Sequence, residues 1–467
     1  MSKRIGTQTV VLPSHPGLIG WAGVAGQKEK EGPYGTKFDQ IIPDELNGEQ
    51  SFESAERAML EQAITLCAGK AGKRLDDVQM MLSGDLLNQI VSAGFAARNL
   101  GIPFYGLYGA CSTMSESLSI GGMLADGGFA DHLICATCSH FCTAERQYRA
   151  PLELGNQRTP TAQWTVTGAG AVMVSGGESA GEAKVVLTHA TCGRVIDLGI
   201  TDTNNMGAAM APAAAESLAA HFRDLKRGFA DYDLIVTGDL GHLGRDLLIE
   251  LLREKKIDVD ERKLFDCGCE IFSERQDTHS GGSGCGCAAS MLCAHLLPEL
   301  ATGRLRRIVF MATGALLSPT TSMQGESVPG VAHAVEMEHK GVYPMMEILW
   351  MLIKAFFVGG LICALGQVLI LKTQLTSARI LVGYVTTGVI LGALGLYKPI
   401  INFAGAGATV PLMGFGYALA HGALEGVKET GILGAFTGGV TAAAGGISAA
   451  VLFGYLAAIL FKPKMKN

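Results

Sequence analysis

Two patterns of apolar and polar positions divide the chain. Up to about residue 340, apolar runs of strand length alternate with helical segments. Residues 78–82 run into Ser83-Gly84-Asp85, and residues 102–107 end at Tyr108-Gly-Ala-Cys111-Ser112. A helix then fits residues 113–126, and residues 133–136 are again strand-like. That alternation predicts a layered α/β fold. Beyond residue 340 the apolar runs lengthen. Residues 355–371 and 380–397 are uncharged, and residues 431–461 are uncharged throughout. Each is close to, or longer than, the roughly 20 residues that cross about 30 Å of hydrocarbon.

Composition sharpens the split. The mean hydropathy of +0.28 averages two unlike parts. Residues 341–467 carry 8 Lys+Arg and 3 Glu, a net of +5, whereas residues 1–340 carry −11 of the total −6. The first part reads as an acidic soluble globule and the second as a membrane domain of about four segments. No basic excess exists to neutralise phosphates, so nucleic acid is not an expected partner. Eleven of the 12 cysteines lie before residue 340, in a chain long enough to need no disulfide staples. The start Met1-Ser-Lys-Arg-Ile-Gly6 lacks an apolar signal region, so residues 1–340 are expected on the cytoplasmic side.

The segment 399–425 is apolar yet irregular, with Gly405, Gly407 and Pro411 followed by His421 and Glu425. Two readings stand open. Small residues form a tight helix-packing face, or a broken helix lines a polar path through the membrane. His421 and Glu425 are four apart and share a helical face, so Gly405, Gly407, His421 and Glu425 are the candidate pathway residues.

The soluble part repeats itself. Asp233–Val236 followed by Thr237-Gly-Asp239 echoes residues 78–85, and an ungapped offset of 176 places Cys111 on Cys287, Gly127 on Gly303 and Thr137 on Thr313. A recurring strand–turn–helix–strand unit implies two similar halves, about 1–190 and 191–340. A Cys on a tight turn into a helix, within duplicated halves, resembles the thiolase-like fold, and Tyr108-Gly-Ala-Cys111-Ser resembles the nucleophile turn of ketoacyl synthase III enzymes. The helix end favours anions and thiolate. The remaining catalytic pattern is incomplete. Asp239 stands where the resemblance expects a His, His242 comes a few residues late, and Gly282-Ser-Gly-Cys285-Gly-Cys287 has no Asn.

Gly26-Gln-Lys-Glu-Lys-Glu-Gly-Pro33, Gly84-Asp-Leu-Leu-Asn-Gln89, Gly109-Ala-Cys-Ser112, Thr143-Ala-Glu-Arg-Gln147 and Gly193-Arg-Val-Ile-Asp-Leu-Gly-Ile-Thr-Asp202 resemble the stage V sporulation protein AD family. Lys354-Ala-Phe, Gly405-Ala-Gly-Ala and His421-Gly-Ala resemble stage V sporulation protein AE. The resemblance implies a thiolase-like duplicated five-layer α/β domain, fused to an all-α transmembrane domain. It implies a component of the inner forespore membrane that moves dipicolinic acid, alone or with Ca²⁺, in during sporulation and out during germination. It implies no cofactor and no catalysis. The expected partners are the other stage V sporulation A proteins, especially the AC membrane subunit, and the thiolase-like fold leaves a homodimer open.

The expected ligand-binding residues are Cys111, His140, Asp85, Glu145, Arg146 and Arg149. Cys111 sits on the turn. His140 follows the next strand. The segment from Glu145 to Arg149 offers donors suited to a dianion. Asp85 has three open roles: orienting His140 or a water, ligating Ca²⁺, or serving as an ordinary strand-end acid. Cys267-x-Cys269 and Cys285-x-Cys287 are spaced too closely for a zinc knuckle, so no metal site is expected. The competing reading is a membrane-anchored acyltransferase using Cys111 with His140 or His242.

Overall fold

A computed structural model describes residues 3–148, 158–181, 183–341 and 345–460. They form two compact units, Met1–Gly341 and Val342–Asn467.

The first unit is built twice over. Its first half runs β1 (Gly17–Ala25), α1 (Phe52–Lys70), β2 (Met80–Gly84), α2 (Val91–Leu100), β3 (Phe104–Gly106), α3 (Thr113–Asp126), β4 (His132–Ser139), α4 (Phe141–Tyr148) and β5 (Gly168–Ser175). Its second half runs β6 (Val185–Thr191), α5 (Met206–Leu225), β7 (Leu234–Thr237), α6 (Gly241–Glu254), β8 (Leu264–Asp266), α7 (Cys285–Met291), β9 (Arg307–Met311) and β10 (Ala334–His339). The strand order β8-β7-β9-β10-β6-β1-β5-β4-β2-β3 reads the same from either end once the halves are matched. The senses match too. β4–β2 and β2–β3 are parallel, as are β9–β7 and β7–β8, while β1–β5, β5–β4, β6–β10 and β10–β9 are antiparallel. The halves meet where β6 pairs with β1 through Val185–Leu18 and Val186–Gly17. The second half therefore begins at Val185. A boundary at residue 190 would cut β6, which must stay whole because it carries the seam.

Three apolar clusters account for five layers. One lies between the two half-sheets and includes Met114 and Leu118 of α3 with Cys287, Ala288 and Met291 of α7. A second packs α1 and α2 on the first sheet, and a third packs α5 and α6 on the second. α3 touches β10 and β6 of the other half, and α7 touches β1, β4 and β5. Buried β4 and β5 are almost continuously apolar or small, as strands covered on both faces must be. Caps set the helix starts: the Ser51 hydroxyl accepts from Ser54 N–H (3.2 Å) and the Asn205 carbonyl from Ala208 N–H (3.2 Å). Fully buried Glu336 on β10 is gripped by both carboxylate oxygens from Arg227 (2.5 and 2.6 Å), and accepts from Tyr232 and Thr188 hydroxyls, each at 2.9 Å.

The second unit is helical: α8 (Met345–Lys372), α9 (Ser377–Ala393), α10 (Lys398–Ala404), α11 (Ala406–Thr409), α12 (Leu412–Thr430) and α13 (Ile432–Leu460). Among the described residues one helix, over Leu352–Lys372, is long and apolar enough to cross a membrane, with shorter apolar helices at Ala378–Ala393, Leu412–Leu424 and Leu433–Ala444. α8 exposes Phe356, Phe357, Leu361 and Leu365, a surface suited to lipid. Glycines set the helix contacts. A Cβ at Gly388 would fall on the Met413 carbonyl, and one at Gly416 on the Val385 carbonyl, so α9 and α12 touch backbone to backbone. Both readings of 399–425 find a residue. Gly405 breaks the helix between α10 and α11 with φ +51°, while Gly407 backs onto the Ala355 main chain of α8. His421 packs on the Tyr417 ring (5.5 Å), which packs on Tyr397 (5.6 Å). The Glu425 side chain lies outside the described residues.

Candidate functional site

The site grows from the turn that starts α3. Ala110 takes φ +49°, a left-handed conformation that a residue with a Cβ adopts only under constraint. Ser112 closes the turn twice on the Gly109 carbonyl, by its N–H (3.0 Å) and its hydroxyl (2.7 Å). From the other half, Gly314 presses against Gly109 and Ser112, where a Cβ would collide. The turn thereby holds Cys111 at the start of a 14-residue helix, 8% exposed.

Its neighbour is Asp239. This carboxylate is fully buried, accepts from Gly284 N–H (2.9 Å) and the Thr313 hydroxyl (3.0 Å), and bonds to the Cys111 thiol. Burial pushes Asp239 up to about 7, against the pull of the Gly284 N–H. Burial, and then the Asp239 charge, push the Cys111 thiol well above its ordinary value. The helix end favours thiolate, but desolvation and a facing carboxylate outweigh a terminus worth about 1 kcal/mol. Cys111 is held as a neutral thiol.

Cys111 opens on an inner cavity of ≈ 60 Å³, room for a few waters, lined by Leu86, Ala110, Ala144, Tyr148, Thr165, Thr203, Met206, Met210, Ser283, Ala315 and Leu317. Leu86, Ala110, Tyr148 and Leu317 also line a vestibule of ≈ 570 Å³, walled further by Asp85, Asn88, Gln89, Gln147, Ser318 and Thr320. Its mouth is stitched: Tyr148 donates its hydroxyl to the Leu86 carbonyl, and Gln147 accepts from Asn88 N–H (3.1 Å). Among the described residues neither chamber is lined by Lys, Arg or His.

The expected residues divide. Cys111 lines the cavity and Asp85 the vestibule. The Asp85 carboxylate, however, is occupied by Leu87 N–H (2.8 Å) and Ala93 N–H (2.7 Å), so it anchors the vestibule loop as a strand-end acid. Burial pushes it up to about 6, and its charge adds to the burial that raises neighbouring Glu56. His140 is not brought to Cys111. Strand parity decides this: Leu133 and Cys135 join the middle cluster, Ile134, Ala136 and Cys138 the outer one, and His140 continues the outer row. Its Nδ1 accepts from Cys142 N–H (3.1 Å) and its Nε2 donates to the Glu45 carbonyl (2.9 Å). Arg146 turns away from the chambers to pair with Glu53. Glu145 is buried but lines neither chamber, since α4 presents Ala144 and Tyr148 to the cavity. Arg149 lies outside the described residues. His242 also lines neither chamber. Asp239, named from its repeat position but not counted as a ligand residue, is the group that faces Cys111. Tyr148, Thr165 and Ser283 were not anticipated.

Duplicated half-sheets enclosing a middle layer of two helices make up a thiolase-like fold. Among solved structures, the chain resembles 3-oxoacyl-[acyl-carrier-protein] synthase III from Aquifex aeolicus VF5, with TM-score 0.44, 13% identity, and coverage of 69% of this chain and 100% of that one. It also resembles acetamide-bound OleA of Xanthomonas campestris, with TM-score 0.48, 13% identity, and 70% and 100% coverage. The chain belongs to the Stage V sporulation protein AD family, whose model matches residues 6–338. Stage V sporulation protein AD of Bacillus subtilis (strain 168) is 45% identical over 340 residues, 73% of this chain and 99% of that protein. Residues 351–460 match the SpoVAC/SpoVAEB sporulation membrane protein model. Stage V sporulation protein AC of the same strain is 36% identical over 111 residues, 21% of this chain and 71% of that protein. The expected AE likeness thus stands at the level of a family that AC shares. The chain joins a sporulation protein to a membrane domain.

Proposed function

We propose that the chain binds dipicolinic acid through its first unit and takes part in moving it, with Ca²⁺ as cargo, across the inner forespore membrane. Movement is inward during sporulation and outward during germination. Its partners in this role are the other stage V sporulation A proteins, especially the AC membrane subunit, with the first unit on the cytoplasmic face. The observation that carries the reading is the Cys111–Asp239 contact. A nucleophilic thiol needs a base and a lowered pKa, whereas Asp239 raises the thiol and, among the described residues, no histidine lines its cavity. What remains is a neutral thiol, hydroxyls of Thr165 and Ser283, and a helix start that favours negative charge. The inner cavity has room for one carboxylate; a pyridine ring and a second carboxylate would occupy the vestibule.

The test is calorimetric titration of the full chain in detergent with dipicolinate, beside the Cys111→Phe variant that fills the inner cavity. Saturable binding that Cys111→Phe abolishes is expected, and no heat at millimolar dipicolinate would overturn the reading. Mass spectrometry after incubation with acyl-CoA separates the competing acyltransferase: a stoichiometric thioester on Cys111 would favour it.

A further inference from the structure

We propose that Glu45, His140 and Cys142 form a binding site for one divalent transition-metal ion of the Zn²⁺ type, separate from the Cys111 cavity. A carboxylate oxygen of Glu45, a ring nitrogen of His140 and the Cys142 sulfur all lie within 4.8 Å of one another. Bonds of about 2.0–2.3 Å in a tetrahedral site place ligand atoms roughly 3.3–3.8 Å apart. Glu45 Oε2 and His140 Nε2 are already 3.4 Å apart. The other pairs need to close by no more than about an ångström.

Two further features point to a ligand. Glu45 Oε2 is shut off from solvent and accepts no hydrogen bond. A buried acceptor without a donor costs about 1–3 kcal/mol, which a cation would offset. Fully buried Glu29 also keeps one oxygen, Oε2, without a donor, and it feels the charge of Glu45. His140 is fully buried and neutral, and ligation through Nε2 displaces its donation to the Glu45 carbonyl and moves the ring proton to Nδ1. Loading replaces both of its main-chain contacts and releases the Cys142 thiol proton to solvent. A mixed N, S and O set suits Zn²⁺ or Co²⁺ rather than Ca²⁺ or Mg²⁺, which prefer oxygen alone.

The ion would clip the loop carrying Glu45 to the start of α4. Because α4 supplies Ala144 and Tyr148 to the cavity wall, the clip would fix that wall. The inference does not depend on what fills the cavity.

Co²⁺ titration of the full chain in detergent tests it. One equivalent should produce a near-ultraviolet sulfur-to-cobalt band with tetrahedral visible bands. Cys142→Ser should abolish the sulfur band, and Glu45→Gln should weaken Co²⁺ binding at least about tenfold. Both residues are partly exposed, and an unchanged near-ultraviolet circular dichroism spectrum shows that each variant is folded. Exposed Cys192 and Cys363 serve as controls, and their serine variants should retain the band. No sulfur band up to millimolar Co²⁺, or a band that survives Cys142→Ser, would overturn the proposal.

Discussion

Replacing Asp239 by Asn should stabilise the first unit, increasingly so as pH rises from about 4 to 7. In the folded state burial holds this carboxyl near 7, against an ordinary 3.8. The folded chain therefore keeps a proton that the unfolded chain releases. Below about pH 4 both states are protonated and the group is neutral in its effect. Between pH 4 and 7 stability falls as pH rises, and above 7 the full cost is present. About three pH units at 1.36 kcal/mol each set a limit of about 4 kcal/mol. Asn removes the charge, keeps an acceptor for Gly284 N–H and offers its amide to the Thr313 hydroxyl. Relative to wild type, Asp239→Asn should gain about 2–3 kcal/mol between pH 5 and pH 8. In a unit of this size that is roughly 3–4 °C in Tm. The assay is thermal unfolding of residues 1–341, followed by Trp21 and Trp164 fluorescence, across pH 5–9. This unit matches nearly the whole of a separate chain in B. subtilis. Glu29, Glu56 and Asp85 also titrate, but they are common to both proteins and cancel in the difference. Parallel wild-type and Asp239→Asn curves would refute the argument that burial holds this proton.

Three other outcomes follow from the same geometry. A carboxylate about 6 Å from ionised Asp239, at an effective dielectric near 20, meets about 3 kcal/mol of repulsion; dipicolinate affinity should therefore drop up to roughly a hundredfold as pH rises through 7, and calorimetry on Asp239→Asn should show a flat profile. Arg227→Met leaves buried Glu336 without its main counter-charge and should cost about 3–5 kcal/mol, read as lowered urea resistance of the first unit. Gly416→Val drives a branched side chain into the Val385 carbonyl; the α9–α12 contact should open, with faster proteolysis in detergent and unchanged folding of the first unit.

The duplication was legible because a 176-residue offset brings strand onto strand and turn onto turn, and the split near residue 340 because two solvents demand two compositions. The half boundary was misplaced by several residues, since β6 and β5 are joined by a short connection that composition does not mark. His140 was misjudged for a reason the sequence contains: counting by twos along β4 sends 138 and 140 to the outer layer, away from Cys111. Likewise a 100° turn per residue puts Ala144 and Tyr148, rather than Glu145 and Arg146, on the cavity side of α4. The Cys111–Asp239 contact joins residues far apart in sequence. Only the repeat, which sets Asp239 where a histidine was expected, hinted at it.

The two halves share five residue pairs of strand contact, two on β1 and three on residues 9–11, yet each lends the other a wall of its middle layer: α3 lies on strands of the second half, and α7 on strands of the first. Such interlocking removes the hinge by which many two-lobed binding proteins clamp and release a ligand. Neither half can swing without stripping apolar surface from both. Among the described residues, the route to Cys111 runs through the mouth, where the Leu86–Ile90 loop, the end of α4 and residues 316–320 meet. The exchange rate will be set by how often the Tyr148–Leu86 stitch parts, not by any opening of the domain.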